Sequence, residues 1–165
     1  MFRTFMIAAA SAAVLTLSPM TFAQQHGESG IPVQGVYREF KDLKWEKTNP
    51  EIGARSPEVA ILYVDPKTQA THLLIRNPKN FVVPRHWHTA NEAITVISGT
   101  FILDHDGGGK RMELGVGSFG YMPAKMVHQA WTKPDEGALL SVTVDGAWDI
   151  NWVDGSGAVA AANPH

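Results

Sequence analysis

Apolar residues recur along this chain in short, regularly spaced runs. They fall at 59–64, 71–76, 81–83, 94–97, 101–103, 111–114, 120–122, 129–132 and 139–144, each rich in Val, Ile, Leu or aromatic residues. Between them stand Asp-Pro, Asn-Pro, Ser-Gly, Gly-Gly-Gly, Gly-Val-Gly and Lys-Pro-Asp-Glu-Gly, which are turn formers. Short strands separated by such turns predict an all-β sandwich or barrel. No window after residue 23 keeps a clean 3.6-residue period, so long helices are not expected.

The two ends differ from this body. Residues 1–23 carry one charge, Arg3, an Ala-rich apolar run from Met6 to Leu17, and a small residue, Ala23, at a cleavage-like Thr21-Phe22-Ala23. That is the layout of a secretory signal peptide, and the run falls short of the roughly 20 residues that span a bilayer. The sequence therefore predicts export, to a periplasm or beyond, with no membrane association after cleavage. Residues 24–57 read as a leader followed by the first strands, 58–150 as the barrel and 151–165 as a flexible tail.

With 165 residues, 44% of them hydrophobic and 18% charged, the chain suits one globular domain. A net charge of −2 offers no basic surface for nucleic acid. The chain has no cysteine, which excludes disulfides, thiolate metal sites, iron–sulfur clusters and cysteine nucleophiles. No Gly-x-Ser-x-Gly elbow is present, and Gly107-Gly108-Gly109-Lys110 lacks the P-loop pattern and reads as a hairpin tip.

The remaining chemistry is imidazole and carboxylate. His86 and His88, two apart in Pro84-Arg85-His86-Trp87-His88, send both rings to one face of a strand. If the chain turns at Thr89-Ala90-Asn91 and pairs back, Glu92 points at the same spot, with Ile94 and Val96 sharing its face. His128 opens another strand, with the small residues Ala130 and Thr132 behind it. Three neutral imidazoles and a carboxylate would hold one divalent ion (Fe, Mn, Zn, Ni or Cu) and leave room for a small molecule. His26, His105 and His165 read as solvated.

The spacing His86-x-His88, three residues, Glu92, six residues, Gly99 resembles the first motif of the cupin superfamily. Gly117, five residues, Pro123, four residues, His128 resembles the second. The departures are Asn80 and Lys125, where cupins commonly carry Gly, and Thr132, where they commonly carry Asn. The resemblance spans about residues 58–145 and is similar to small single-domain cupins, including acetylacetone-cleaving dioxygenases and anti-sigma-factor cupin domains. It implies a double-stranded β-helix of the RmlC-like jelly-roll kind, a metal in its mouth and often a homodimer.

Around that centre, Arg76 would clamp a substrate carboxylate if the face bearing His72, Leu74 and Arg76 lined the cavity; the alternative is a solvent-facing Arg. A general base would come from Tyr121, His72 or hydroxide at the metal. Parity with His128 favours Met122 over Tyr121 as the inward side chain. Trp87 and Trp131 fall on the opposite parity from their His neighbours and should lie outside the barrel. Phe101 and Trp148 are wall or core. Three functions suit such a site: an oxygenase acting on a chelating substrate, a metal-dependent lyase or isomerase, and a metal or small-ligand receptor.

Overall fold

The computed structural model describes residues 34–105 and 111–153, and the fold is that of the unit beginning at Val36. The signal-like segment 1–23, the leader at 24–31, the Gly-rich tip at 107–110, His26, His165 and residues 155–165 lie outside the described residues. Two 3₁₀ turns, Phe40–Asp42 and Pro50–Arg55, precede and follow the two-residue strand β1 (Glu46–Lys47). Then come β2 (Glu58–Val64), β3 (Thr71–Asn77), β4 (Val82–Trp87), β5 (Glu92–Gly99), β6 (Phe101–His105) and β7 (Met112–Leu114). The last four are β8 (Phe119–Met122), β9 (His128–Thr132), β10 (Ala138–Val144) and β11 (Asn151–Trp152). Every apolar run of the sequence lies in or beside one of these strands. The strand Asn151–Trp152 was not expected, because its two residues lie in the stretch read as tail. Only its pairing with β4 reveals it.

The strands form two antiparallel sheets, β1-β2-β3-β10-β5-β8 and β11-β4-β9-β6-β7. From β3 onward the chain changes sheet at every connection except the β6–β7 hairpin. This is a double-stranded β-helix, the arrangement that the resemblance to cupins implied. Inward side chains alternate with outward ones, as a pleated strand requires. Along β5, Glu92, Ile94 and Val96 are buried while Thr95 and Ile97 are exposed. Leu73, Ile94, Val96, Phe101, Leu103, Leu140, Val142 and Val144 meet between the sheets and form the core.

The two missing motif glycines have a physical resolution. Asn80 (φ 52°) and Lys125 (φ 64°) both adopt the left-handed backbone for which glycine is usually chosen. Asn80 N–H is anchored to the Lys133 carbonyl at 2.8 Å, and Lys125 N–H to that of His88 at 2.8 Å. Thr132, standing where Asn is common, accepts Phe81 N–H at 2.9 Å and donates to the Pro78 carbonyl at 2.6 Å. It thereby ties the β3–β4 connection to β9. The turns are kept by hydrogen bonds where the usual residue types are absent.

Gly99 (φ 76°) and Gly117 (φ 80°) differ in one testable respect. A Cβ on Gly99 would lie 1.9 Å from the Gly137 carbonyl oxygen, whereas nothing lies within 4 Å of one on Gly117. Gly99→Ala is expected to cost about 3 kcal/mol or more, and Gly117→Ala about 1–2 kcal/mol for the backbone conformation alone. Urea unfolding of both variants checks this; equal losses would contradict it.

Candidate metal centre

His86 lies on β4, His88 one residue past its end, His128 at the start of β9 and Glu92 at the start of β5. All four are buried, at 3–5% exposure. The β4–β5 segment does not pair back as a hairpin. It crosses from the five-stranded to the six-stranded sheet, so the histidines and the glutamate face each other from opposed sheets. Glu92 reaches the expected spot by a different route.

Each ring is aimed by its backbone. Nδ1 of His86 meets the Pro84 carbonyl at 2.6 Å, Nδ1 of His128 meets that of Met126 at 2.9 Å, and Nδ1 of His88 meets that of Asp149 at 2.5 Å. A carbonyl only accepts, so each Nδ1 carries a proton; Nε2 of the neutral His86 and His128 keeps its lone pair, while Nε2 of His88 faces the Glu92 carboxylate. The three rings offer nitrogens within 4.8 Å of one another, and their centroids lie 4.2–5.2 Å apart. Glu92 Oε2 stands 3.2 Å from His88 Nε2, close to the separation of about 3 Å between adjacent ligand atoms at roughly 2.1 Å from one ion. The three imidazoles fit a divalent cation, each oriented from behind, and Glu92 stands beside them as the carboxylate that would join once the proton it shares with His88 has left.

The electrostatics agree. Burial pushes the His86 pKa down to about 3, helped by the neighbouring His128 and His88 and only partly opposed by the Pro84 carbonyl. Burial also lowers His128, against the Met126 carbonyl. At His88 burial again disfavours the cation, but Glu92 and Asp149 outweigh it and hold its pKa above the ordinary 6.5.

Two aspartates in the β10–β11 connection hold the crossover in place, and nothing in their sequence spacing pointed to them. Asp149 accepts Thr89 N–H at 2.9 Å, Thr89 Oγ1 at 2.5 Å and Asn151 Nδ2 at 3.0 Å, while its carbonyl aims His88. Desolvation alone would raise the Asp149 pKa; these donors outweigh it and lower it. Asp145 accepts Asn91 N–H at 2.9 Å and Nδ2 at 2.5 Å, and Asn91 Oδ1 receives Ala124 N–H at 2.8 Å. The crossover, the β8–β9 turn and the β10–β11 connection are thus one hydrogen-bonded unit.

The four residues open into a cavity with mostly apolar walls, including Ile75, Phe81, Ile94, Phe101, Met122 and Leu140. Among the described lining residues no Lys or Arg appears, and Glu92 is the one carboxylate. Met122 faces inward as parity favoured, and Trp148 is wall as well as neighbour of the core. Trp152 of β11 also lines the cavity, its ring 5.5 Å from His86. Thr48, Asn49 and Ile52 enter from the segment before β2, which the sequence did not link to the site.

Three candidates from the sequence do not reach it. Arg76 sits on the outer face of β3, paired with Glu58 at 2.5 Å and 4.2 Å above the Trp45 ring, because the inward parity of β3 belongs to Leu73, Ile75 and Asn77. It cannot clamp a substrate in the cavity. Tyr121 is 54% exposed, since its neighbour Met122 takes the inward position. His72 is exposed and bonded to Thr143 Oγ1 at 3.2 Å on the outer surface. Trp131 packs outside under the Arg111 guanidinium, 4.3 Å from its ring, in line with its parity.

Loading a metal must displace the proton that Glu92 and Asp149 stabilise on His88. Zn²⁺ binding at pH 6.5 is therefore expected to release up to one proton, with affinity falling about tenfold per pH unit below the raised His88 pKa. Calorimetry in two buffers of different protonation enthalpy checks the sign. Heats independent of buffer would contradict it.

Comparisons with known proteins agree on the fold. Solved structures with the same fold include the polyketide cyclase RemF from Streptomyces resistomycificus (22% identity, 73% of this chain and 85% of that one, TM-score 0.59). An RmlC-like cupin from Shewanella frigidimarina is similar too (20%, 69% and 93%, TM-score 0.56), as is a structure of the DMSP lyases RdDddP and RnDddQII (17%, 68% and 63%, TM-score 0.58). At these identities the likeness establishes the fold alone. No curated protein sequence matches significantly. The family model for the ChrR cupin-like domain matches residues 33–146, most of the chain, and the protein belongs to that cupin family.

Proposed function

We propose that this cupin is an exported metalloenzyme that holds one divalent ion on His86, His88, Glu92 and His128 and oxygenates a small chelating substrate. The observation carrying this reading is the pairing of three converging imidazoles, with Glu92 against His88, and an apolar cavity that holds no cationic side chain among its described lining residues. The donor set neutralises one of a divalent ion's two charges, leaving +1. A monoanion that chelates through two oxygens, such as the enolate of a 1,3-diketone, closes that balance. A dianion would leave a buried charge with no partner, which is costly. When bound, the ion supplies the positive charge that holds an enolate and, if redox-active, a route for dioxygen.

The protein's own part is positioning. The carbonyls of Pro84, Met126 and Asp149 fix the rings before substrate arrives, and the apolar wall keeps water from competing for the reacting carbon. Tyr121 and His72 lie on the outer surface, so neither can take the substrate's proton, and in this reading Glu92 keeps its charge as a ligand while the substrate enters as its enolate.

A second reading is a lyase or cyclase that moves protons without oxygen. The neighbours described as a cyclase and as lyases favour it, and Glu92 would then be the working base. Export also bears on the choice, since a protein loaded outside the cytoplasm meets competition from Cu²⁺ and Zn²⁺. The two readings separate in one experiment. The iron-reconstituted protein is expected to consume about one O₂ per 2,4-pentanedione cleaved. Product formation under argon with Zn²⁺ or Mn²⁺, abolished in Glu92→Ala, would favour the second reading.

Export and a dimeric assembly complete the proposal, the first supported by the signal-like layout of residues 1–23. Protein from the periplasmic fraction is expected to begin at Gln24 and to scatter light as a dimer. An intact Met1 and a monomeric mass would contradict both.

A further inference from the structure

The cavity holds a polar side chain that the metal centre does not use. Asn77 ends β3 with inward parity, is 6% exposed and lines the cavity. Its backbone takes part in the ladder with β10, opposite Ala138. No hydrogen bond among the described residues involves its carboxamide, which is open to the cavity. Asn-Pro sequences are common where a chain turns, and Asn77 precedes Pro78, but a turn-forming Asn bonds a nearby backbone group and this one does not. An amide that opens onto a mostly apolar cavity is free to pair with whatever enters, and a ligand that reaches it can complete its bonds.

Strand register locates it. Along β10, Val144 is opposite Glu92 and Ala138 is opposite Asn77, so the two side chains look into the barrel six residues apart, about 20 Å measured along the strand. Ile75, Ile94, Leu140 and Val142 line the stretch between them. The cavity thus has a chelating end, an apolar middle and an amide at the far end. Glu92 is its one charged residue other than the histidines among the described lining, so the far group of a ligand should carry no charge. A carboxamide both donates and accepts, which suits a hydroxyl, a carbonyl or another amide.

We propose that Asn77 is a specificity-determining residue, which hydrogen-bonds a neutral polar group at the far end of an elongated, apolar-bodied ligand whose other end chelates the metal. This rests on the reading of the histidine–glutamate centre as the chelation site. Such a residue makes the cavity choose among ligands with the same chelating head, because the wrong tail leaves the amide unpaired.

The test uses the full-length, Zn²⁺-loaded protein and alkane-2,4-diones bearing straight tails of four to ten carbons, ending in either methyl or hydroxyl. At the matching length, calorimetry is expected to show the hydroxyl-ended probe binding about fivefold tighter than its methyl partner. Asn77→Leu should erase that preference while leaving zinc content and 2,4-pentanedione affinity unchanged. It should also keep or raise the melting temperature of the ligand-free protein, since the amide gives up no bond. Methyl-ended tails binding tighter at every length would overturn the assignment, as would a preference that survives in Asn77→Leu or a fall of several degrees in its melting temperature. If 2,4-pentanedione itself fails to bind, the chelation reading and the role of Asn77 fall together. If it binds and the preference is absent, Asn77 alone is wrong.

Discussion

The hydrogen bonds from three imidazole Nδ1–H groups to three backbone carbonyls are the interaction on which the site depends. Without them each buried ring could take either tautomer and several orientations, and the nitrogens would not converge. With them, the Nδ1 proton of each ring is fixed by the chain itself and Nε2 is turned toward the site before any ligand arrives. The carbonyls of Pro84 and Met126 lie two residues before the histidines they aim. That of Asp149 comes from a connection 61 residues away in sequence. His88 is thus the ring whose orientation depends most on the finished fold. It is also the ring whose proton Glu92 holds most firmly, so metal uptake, pH and tertiary structure meet at one side chain.

The barrel makes such a centre affordable by distributing its polar groups between opposed sheets. Histidines from one sheet and a glutamate from the other meet in a space otherwise walled by Ile, Leu, Val and aromatic residues. The low polarity around them lowers His86 and His128 and strengthens the coupling of His88 to Glu92. The price in backbone exposure falls on the crossover after β4, which leaves one sheet before joining the other. Asp145 and Asp149 hold that crossover by accepting its amides and side chains, and Lys125 N–H bonds the His88 carbonyl from the β8–β9 turn. Residues with no chemistry of their own in the cavity therefore decide where the chemistry stands.

The outward-facing candidates show how far strand parity carries an argument. Parity within one strand correctly separated Met122 from Tyr121 and put Trp131 outside. It gave two faces for β3 and no means of choosing between them, because both carry apolar residues: Leu74 is buried on the outer face as Leu73 is on the inner. The choice fell to packing against β10 and to the Glu58 and Trp45 partners of Arg76, which come from strand pairings distant in sequence. The same limit hid Asn77. Read alone it is one more Asn-Pro turn; within the barrel it is an amide lining a mostly apolar cavity.

The strands, the turns between them and the three converging histidines with Glu92 beside them were legible in the chain because each is a local property, a period of two, a turn-forming dipeptide or a motif spacing. Even the missing glycines at positions 80 and 125 left the motif readable, since the ligands and their intervals were intact. What needed the folded molecule was everything set by contacts between remote segments. That includes the sheet change that replaces a hairpin after His88, the aspartates that pin it, the strand at Asn151–Trp152, and the inward or outward sense of β3. A sequence records which residues share a face of one strand, whereas the partner that covers that face is chosen only when two sheets close upon each other.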